Sequence, residues 1–435
     1  MSRGRRNGGT AVLITFAILA GITIGAVTYI MVHDRVIGDS TENIRTISEE
    51  KHDSAQKASK DRIIEDLLEP EIEVYEKEGR AELGDALDDV SLKEIQNNIE
   101  NNAFNNYCYE HLDDNQKKLY SEIYGILKNF KSNILVSTTD TDELSKVFNC
   151  VMLDHPEIFY VTGYTLTKYT KEDSIENITL SGKYIYTKDE AEKFMNVVER
   201  VAAECINGCQ EDDEYAKVKY VYEWLISRCD YVLGAENNQN ILSVFVTDET
   251  VCQGYAKAAQ YLLNKMGVFC ILCEGEAMGS EAHVWNIVRI DGEYYYLDVT
   301  WGDATYTFNE QDSDSVAPPD INYEYMCVPY TEIAGTHAII ETVTLPVCNS
   351  MRDNYYVREG LYFEDIDESR LRYAFDNAYR EGKSSVSIKC SSKGIFDEME
   401  RFLIDREHIF DYLQGNSKVN YVKMQDRNYF MFYLQ

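Results

Sequence analysis

Three reactive side chains follow one another along the chain. They are a thiol in Thr250-Val-Cys252-Gln-Gly-Tyr-Ala-Lys-Ala258, an imidazole in His283-Val-Trp-Asn286 and a carboxylate in Tyr294-Tyr-Tyr-Leu-Asp298-Val-Thr-Trp301. Nucleophile, base and orienting acid are the parts of a cysteine-based acyl transfer. Gln239, upstream of the thiol, is a candidate oxyanion donor, because a side-chain amide can donate to developing negative charge.

The flanking residues predict how each group is held. Thr250 with Gln253 forms a capping-box pattern, and Ala258, Ala259, Leu262, Leu263 and Met266 recur with helical periodicity. Gly267 supplies the residue past the helix end. Cys252 then falls in the first turn, where unpaired amides and the helix dipole favour a thiolate and an oxyanion. That terminus contributes about 0.3–1 kcal/mol and at most about 2, too little to hold a thiol ionised at neutral pH. A cationic neighbour is needed, and His283 is the candidate.

Residues 283–290 alternate as a strand, Asp291-Gly292 is a two-residue hairpin signal, and Glu293 to Thr300 is aromatic and β-branched. A turn centred on Asp291-Gly292 sets Ile290 opposite Glu293 and Trp285 opposite Asp298. Strand side chains alternate, so His283 and Asp298 are diagonal neighbours on one face, roughly 7–8 Å apart at the backbone. A slip of one residue would separate them.

The pattern Cys-x-Gly-Tyr-Ala from Cys252, His-x-Trp-Asn from His283 and Asp-x-Thr-Trp from Asp298 resembles the core of the transglutaminase-like superfamily, cysteine enzymes of papain-like chemistry. The resemblance runs from about Tyr215 to Trp301. Asp154-His-Pro-Glu-Ile-Phe-Tyr160 and Asn238-Gln-Asn240 are similar to segments that accompany this domain in bacterial surface proteins. It implies Cys252 as nucleophile, His283 as base and Asp298 as orienting carboxylate. The implied fold is α+β, a papain/transglutaminase-like core with the cysteine helix packed on an antiparallel sheet. The implied activity is acyl transfer on glutamine carboxamide or peptide bonds through a thioester. A cysteine peptidase or amidase of surface or cell-wall peptides and a catalytically inactive peptide-binding surface protein are the alternatives. Gly302 departs from relatives that often carry an acidic residue there.

The chain has 435 residues, 44% of them apolar, enough for two or three domains. A formal net charge of −33 argues against nucleic-acid binding, which needs a basic surface. Residues 1–10 contain Arg3, Arg5 and Arg6, and residues 11–32 carry no charge. As a helix that run spans roughly 33 Å, enough for a bilayer core, and it lacks a small-residue cleavage site. It reads as a transmembrane signal anchor, with a cytoplasmic N terminus and the remainder extracytoplasmic. The expected partners are the membrane, through that helix, and a protein or peptide substrate. No cofactor or metal motif is present in the sequence.

Residues 33–103 read as an acidic stalk or linker, 104–349 as the transglutaminase-like domain with an N-terminal α+β extension, and 350–435 as a small α+β domain. Helices are predicted over 115–130, 142–153, 188–205 and 213–229, with strands at 158–161 and 183–186. The C-terminal region reads strand 355–363, helix 368–382, strand 384–390, helix 395–413 and two further strands, in ferredoxin-like order. Eleven cysteines predict disulfide pairs plus at least one free thiol in an exported protein. Cys270 and Cys273 read as core residues on opposite faces of a strand, while Cys205 and Cys209 sit at helical spacing. Trp285 and Trp301 read as packing residues, and His155 and His337 as groups satisfied by local hydrogen bonds. The polar stretch 303–319 reads as a solvated loop rather than a calcium site.

Overall fold

The structure is a computed structural model of the chain and describes residues 12–16, 27–32, 70–79, 87, 89–100, 106–172, 174–278, 281–303, 321–415 and 418–434. It divides into two compact units. One is Ser54–Gly302 with Tyr325–Ser350; the other is Met351–Gln435 with Asp303–Glu324 and Met1–Asp53.

The first unit is built around the helix Cys252–Lys265, most of whose residues are buried. Small side chains allow this: Ala256 packs directly on Leu272 and Val284 of the adjacent sheet. At the far end, the Asn264 side chain bonds the Cys270 backbone in both directions at 3.0 Å. Gly267 takes φ +78°, and the Val268 amide closes on the Leu263 carbonyl at 2.9 Å, a Schellman ending. The start lies one residue later than the capping-box pattern implies. Val251 is the N-cap and no side chain caps the helix. Thr250 instead turns inward, with its hydroxyl 2.6 Å from Ser243 Oγ and donating to the Asn238 carbonyl at 3.3 Å.

Beside this helix lies an antiparallel sheet ordered Glu293–Leu297, Glu281–Ile290, Cys270–Ala277, His337–Ile340. Asp291 and Gly292 have φ of +47° and +86°, as a two-residue hairpin turn requires. Ile290 pairs with Glu293 and Asn286 with Leu297, the register deduced from the sequence. Cys273 packs on the Trp285 and Ile287 face, while Cys270 lies on the opposite face by strand alternation.

A second sheet in this unit runs Glu71–Glu78, Val161–Lys171, Ser174–Tyr184, Ile134–Val136. The helices Asp114–Lys128 and Thr141–Asp154 accompany it. Gln260 of the cysteine helix donates to the Leu153 carbonyl at 2.8 Å and ties the two parts together. Two expectations are corrected here. Ile158–Tyr160 is turn rather than strand, which begins at Val161. Part of the expected stalk also belongs to the folded unit, since Glu71–Glu78 pairs in parallel with Val161–Lys171 and Asp89–Glu100 is helical. Alternating Ile72 and Val74 suit a strand, and Lys183 draws in Glu71 and Glu73 at 3.2 and 2.8 Å.

In the other unit, Tyr362–Phe363 lies parallel to Ser385–Cys390, followed by Tyr429–Tyr433, Lys418–Met424, Val27–Val32 and Val12–Phe16. The parallel strands are immediate neighbours, so the order is not ferredoxin-like, where another strand separates them. Tyr355–Arg358 is helical rather than extended, because the Asn354 side chain caps the Tyr356 amide at 3.1 Å. The helix expected to reach Leu413 ends its regular part at Glu400. It continues as a wider turn to Asp405 before Glu407, at φ +63°, reverses the chain.

Val12–Phe16 and Val27–Val32 are strands where a membrane helix was expected. Both are rich in β-branched residues, and the second finds a free edge on Lys418–Met424. The rest of the run 11–32 lies outside the described residues. No described helix is long and apolar enough to cross a membrane. The loop 303–319 also lies outside them, except Asp303. The expected disulfides are absent as well: all eleven cysteines are free and ten are buried, where a thiol acts as a small apolar group.

The C-terminal unit encloses an ion pair, Lys389 Nζ to Glu324 Oε2 at 3.1 Å, with both side chains at most 3% exposed. Removing one partner strands a charge in a core and costs roughly 3–5 kcal/mol. Glu324→Ala is expected to lower the unfolding free energy by that amount, seen as a lower denaturant midpoint, and Glu324→Leu combined with Lys389→Met to recover most of it. An unchanged midpoint in the single variant would show the pair to be solvated.

Candidate active site

Cys252 is the first residue of its helix and is 2% exposed. The missing side-chain cap leaves the first-turn amides directed out of the helix end beside the thiol. Gly254 explains the Cys-x-Gly spacing. A Cβ there would collide with Thr250 Oγ1, Ser243 Oγ and the Asn238 carbonyl oxygen, the groups that fix the approach to the thiol. The Val251 amide bonds the same Asn238 carbonyl at 3.2 Å.

His283, on the strand Glu281–Ile290, lies close enough to Cys252 for the thiol to help raise the imidazole's pKa. Its Nε2 is 2.7 Å from Asp298 Oδ2. The imidazole thus sits against the carboxylate and near the thiol, and all three residues are buried. Trp285 stacks on the ring at 5.7 Å and 22°, and Trp301 tilts against it at 6.1 Å, so both tryptophans pack the base in place. The Trp301 amide donates to Asp298 Oδ1 at 3.1 Å. Gly302 is required by its neighbour, since a Cβ would strike the Tyr222 hydroxyl. Asn286, the last residue of the His-x-Trp-Asn pattern, donates to the Ala256 carbonyl at 2.9 Å and pins the base strand to the cysteine helix.

A fourth residue joins the network. His337 Nε2 lies 3.1 Å from the same Asp298 Oδ2, and its Nδ1 lies 2.9 Å from Thr336 Oγ1. The expected local hydrogen bond is present, but the contact with Asp298 was not foreseen. His337 sits on an edge strand far along the chain, in no recognisable motif. Gly275 admits that strand, because a Cβ at 275 would collide with the Ala338 carbonyl. His283, Asp298 and His337 form the metal-like donor cluster among the described residues, with donor atoms within 4.8 Å of one another. Both imidazoles direct Nε2 at one carboxylate oxygen, which makes it a closed hydrogen-bond network.

Burial opposes charge on His283, but the Asp298 carboxylate, with a further contribution from Cys252, raises its pKa to about 10. Burial would likewise raise Asp298; His283 and then His337 hold its carboxyl well below the usual range. Both shifts favour an imidazolium beside a carboxylate. Gln239 lies at the same helix end. Its carbonyl accepts from Lys257 Nζ at 3.4 Å, and it lines a cavity of about 510 Å³ together with Gln253. His155 bonds Glu157 at 2.8 Å, a local satisfaction as expected.

The raised pKa of His283 links the site to stability. Its contribution is fully present below the unfolded value of about 6.5 and is lost as pH rises through about 10. The lowered Asp298 contributes above about 3.9 and loses its share as pH falls. The gap in unfolding free energy between wild type and His283→Gln is therefore expected to be widest near pH 5–6 and to shrink toward pH 10. A gap that grows with pH in denaturant titrations would refute the charged pair.

Residues 199–299, which contain Cys252, His283 and Asp298, match the profile of the Transglutaminase-like superfamily. Among solved structures, a protein described as a TGase is 14% identical, with 42% of this chain and 54% of that chain covered and a TM-score of 0.25. A candidate cysteine protease from Cytophaga hutchinsonii is 12% identical, covering 31% of this chain and 61% of that one, at a TM-score of 0.22. The chain thus spans little more than half the length of either structure. No curated protein matches it. The segment that holds the thiol, imidazole and carboxylate is a transglutaminase-like core within a mixed α+β chain.

Proposed function

We propose that this protein is a cysteine-dependent acyl-transfer enzyme acting on glutamine carboxamides or peptide bonds outside the cytoplasm. The observation that carries the chemistry is a thiol at an uncapped helix start near His283, whose Nε2 is held by buried Asp298. In the first half-reaction, Cys252 thiolate attacks the carbonyl and a C–S bond forms. The Cys252 amide and the Gln239 side-chain amide donate to the oxyanion. His283 passes its proton to the departing amine as the C–N bond breaks, leaving a thioester. In the second, His283 removes a proton from the acceptor, the acceptor attacks and the thiolate leaves. An amine acceptor makes the enzyme a transglutaminase; water makes it a deamidase or peptidase.

The expected signature is selective alkylation of Cys252 at pH 7, at least about tenfold faster than a free cysteine. His283→Ala should slow turnover by roughly 10²–10⁴-fold, the usual worth of a positioned base. A glutamine peptide offered with a labelled primary amine separates the outcomes. Label incorporation marks the transferase. Ammonia or backbone cleavage without label marks the hydrolase. An ordinary alkylation rate that His283→Ala leaves unchanged would reduce the protein to a binding scaffold.

The uncharged run 11–32 behind three arginines supports an anchored, extracytoplasmic placement. Membranes washed at high pH are expected to retain the full chain, with both units open to added protease from the outer side. Release into the wash would leave Val12–Phe16 and Val27–Val32 as strands of the C-terminal sheet and overturn the placement.

A further inference from the structure

The cavity of about 510 Å³ beside the nucleophile is more than an apolar cleft. Phe148, Met152, Phe159, Leu272 and Val284 supply its apolar wall. Gln253 and Val284, which also line it, are the chain neighbours of Cys252 and His283, so the cavity opens on the helix side of the sheet, one residue along the chain from each reactive group. Lys257 stands on the same wall, one helical turn past Gln253. Its ammonium donates to Gln253 Oε1 at 3.1 Å and to the Gln239 carbonyl at 3.4 Å. A lysine has three N–H donors, and these bonds use two.

Among the described residues no carboxylate oxygen comes within 4.0 Å of Lys257 Nζ. Burial lowers the pKa of Lys257 to about 8, and Glu274, which lines the same cavity, offsets this only at longer range. Glu71, also at the cavity, is already paired with Lys183. A sheltered cation without a close counter-ion is costly. In a chain of net charge −33 it does not arise from a shortage of acids.

We propose that the cavity is a substrate subsite in which Lys257 receives a carboxylate of the peptide whose amide reacts at Cys252. The inference rests on the acyl-transfer reading and names its substrate class: acidic peptides. Lys257 is five residues past Cys252, about 7.5 Å along the helix axis. An extended chain covers that in about two residues, so the carboxylate lies about two residues from the reacting carbonyl. The apolar wall takes the side chain in between.

The test uses the full chain carrying Cys252→Ala and two matched peptide pairs. One pair differs only as Glu against Gln two residues from the target amide, the other as a terminal carboxylate against its amide at the same distance. Calorimetric titration is expected to show at least about tenfold tighter binding of the carboxylate member in one pair or both, which also identifies the source of the charge. Adding Lys257→Met should erase the difference. The peptide comparison itself needs no change at 257, so it stands even if that variant fails to fold. Equal affinities within both pairs, no binding of any member at millimolar concentration, or a preference that survives in folded Lys257→Met overturns the proposal. Turnover of the same peptides by the unsubstituted enzyme separates the two readings. Turnover without discrimination refutes the subsite alone, and discrimination without turnover refutes the acyl-transfer reading alone.

Discussion

A carboxylate buried in a protein interior must be fully partnered, because the effective penalty for an isolated buried ion is several kcal/mol. Asp298 meets that condition with three donors from three elements: His283 on the hairpin, His337 on the sheet edge and the Trp301 amide in the short helix that follows. The hairpin register, the closure of the edge strand over Gly275 and the turn into Val299–Gly302 all converge on one side chain. Its two imidazoles share one oxygen, and the shorter bond, 2.7 against 3.1 Å, belongs to the residue that also lies near the thiol.

The alternation of one strand separates two tasks. His283 and Trp285 face the proton network, whereas Val284, between them, faces the helix and the cavity. The proton network and the cavity thus lie on opposite sides of the same strand. Asn286 stabilises this arrangement by tying strand to helix through a backbone carbonyl.

The hairpin was legible because its geometry is local. Asp291-Gly292 determines the turn and the turn determines which residues face each other. The helix end at Gly267 was legible for the same reason, as were Cys252, His283 and Asp298 as one constellation. The helix starts one residue later than its sequence pattern implies, because Thr250 has a competing partner in Ser243 that only the folded loop brings near. His337 and Lys257 were not legible in these roles. One acts through a strand pairing between distant segments, and the other through a cavity that exists only once the two sheets and the helix are assembled. At the N terminus, apolar β-branched residues satisfy a helix pattern and a strand pattern equally, and the described pieces of that run pair as strands.

The bare helix start at Val251 sets a limit on how this protein can be improved. Helices elsewhere in the chain begin at Asp113, Thr187 and Asp367, each with a side chain that accepts from the first turn. Such caps are typically worth about 1 kcal/mol. A stabilisation campaign that scores positions by capping preference would therefore choose Ser or Asp at 251. That choice would fill the amide pocket beside the thiol and exchange function for robustness. The helix that carries the Cys252 thiol shares its lack of a side-chain cap with Glu214–Arg228, but only here do the bare amides lie beside a reactive group, which makes that terminus the feature to preserve.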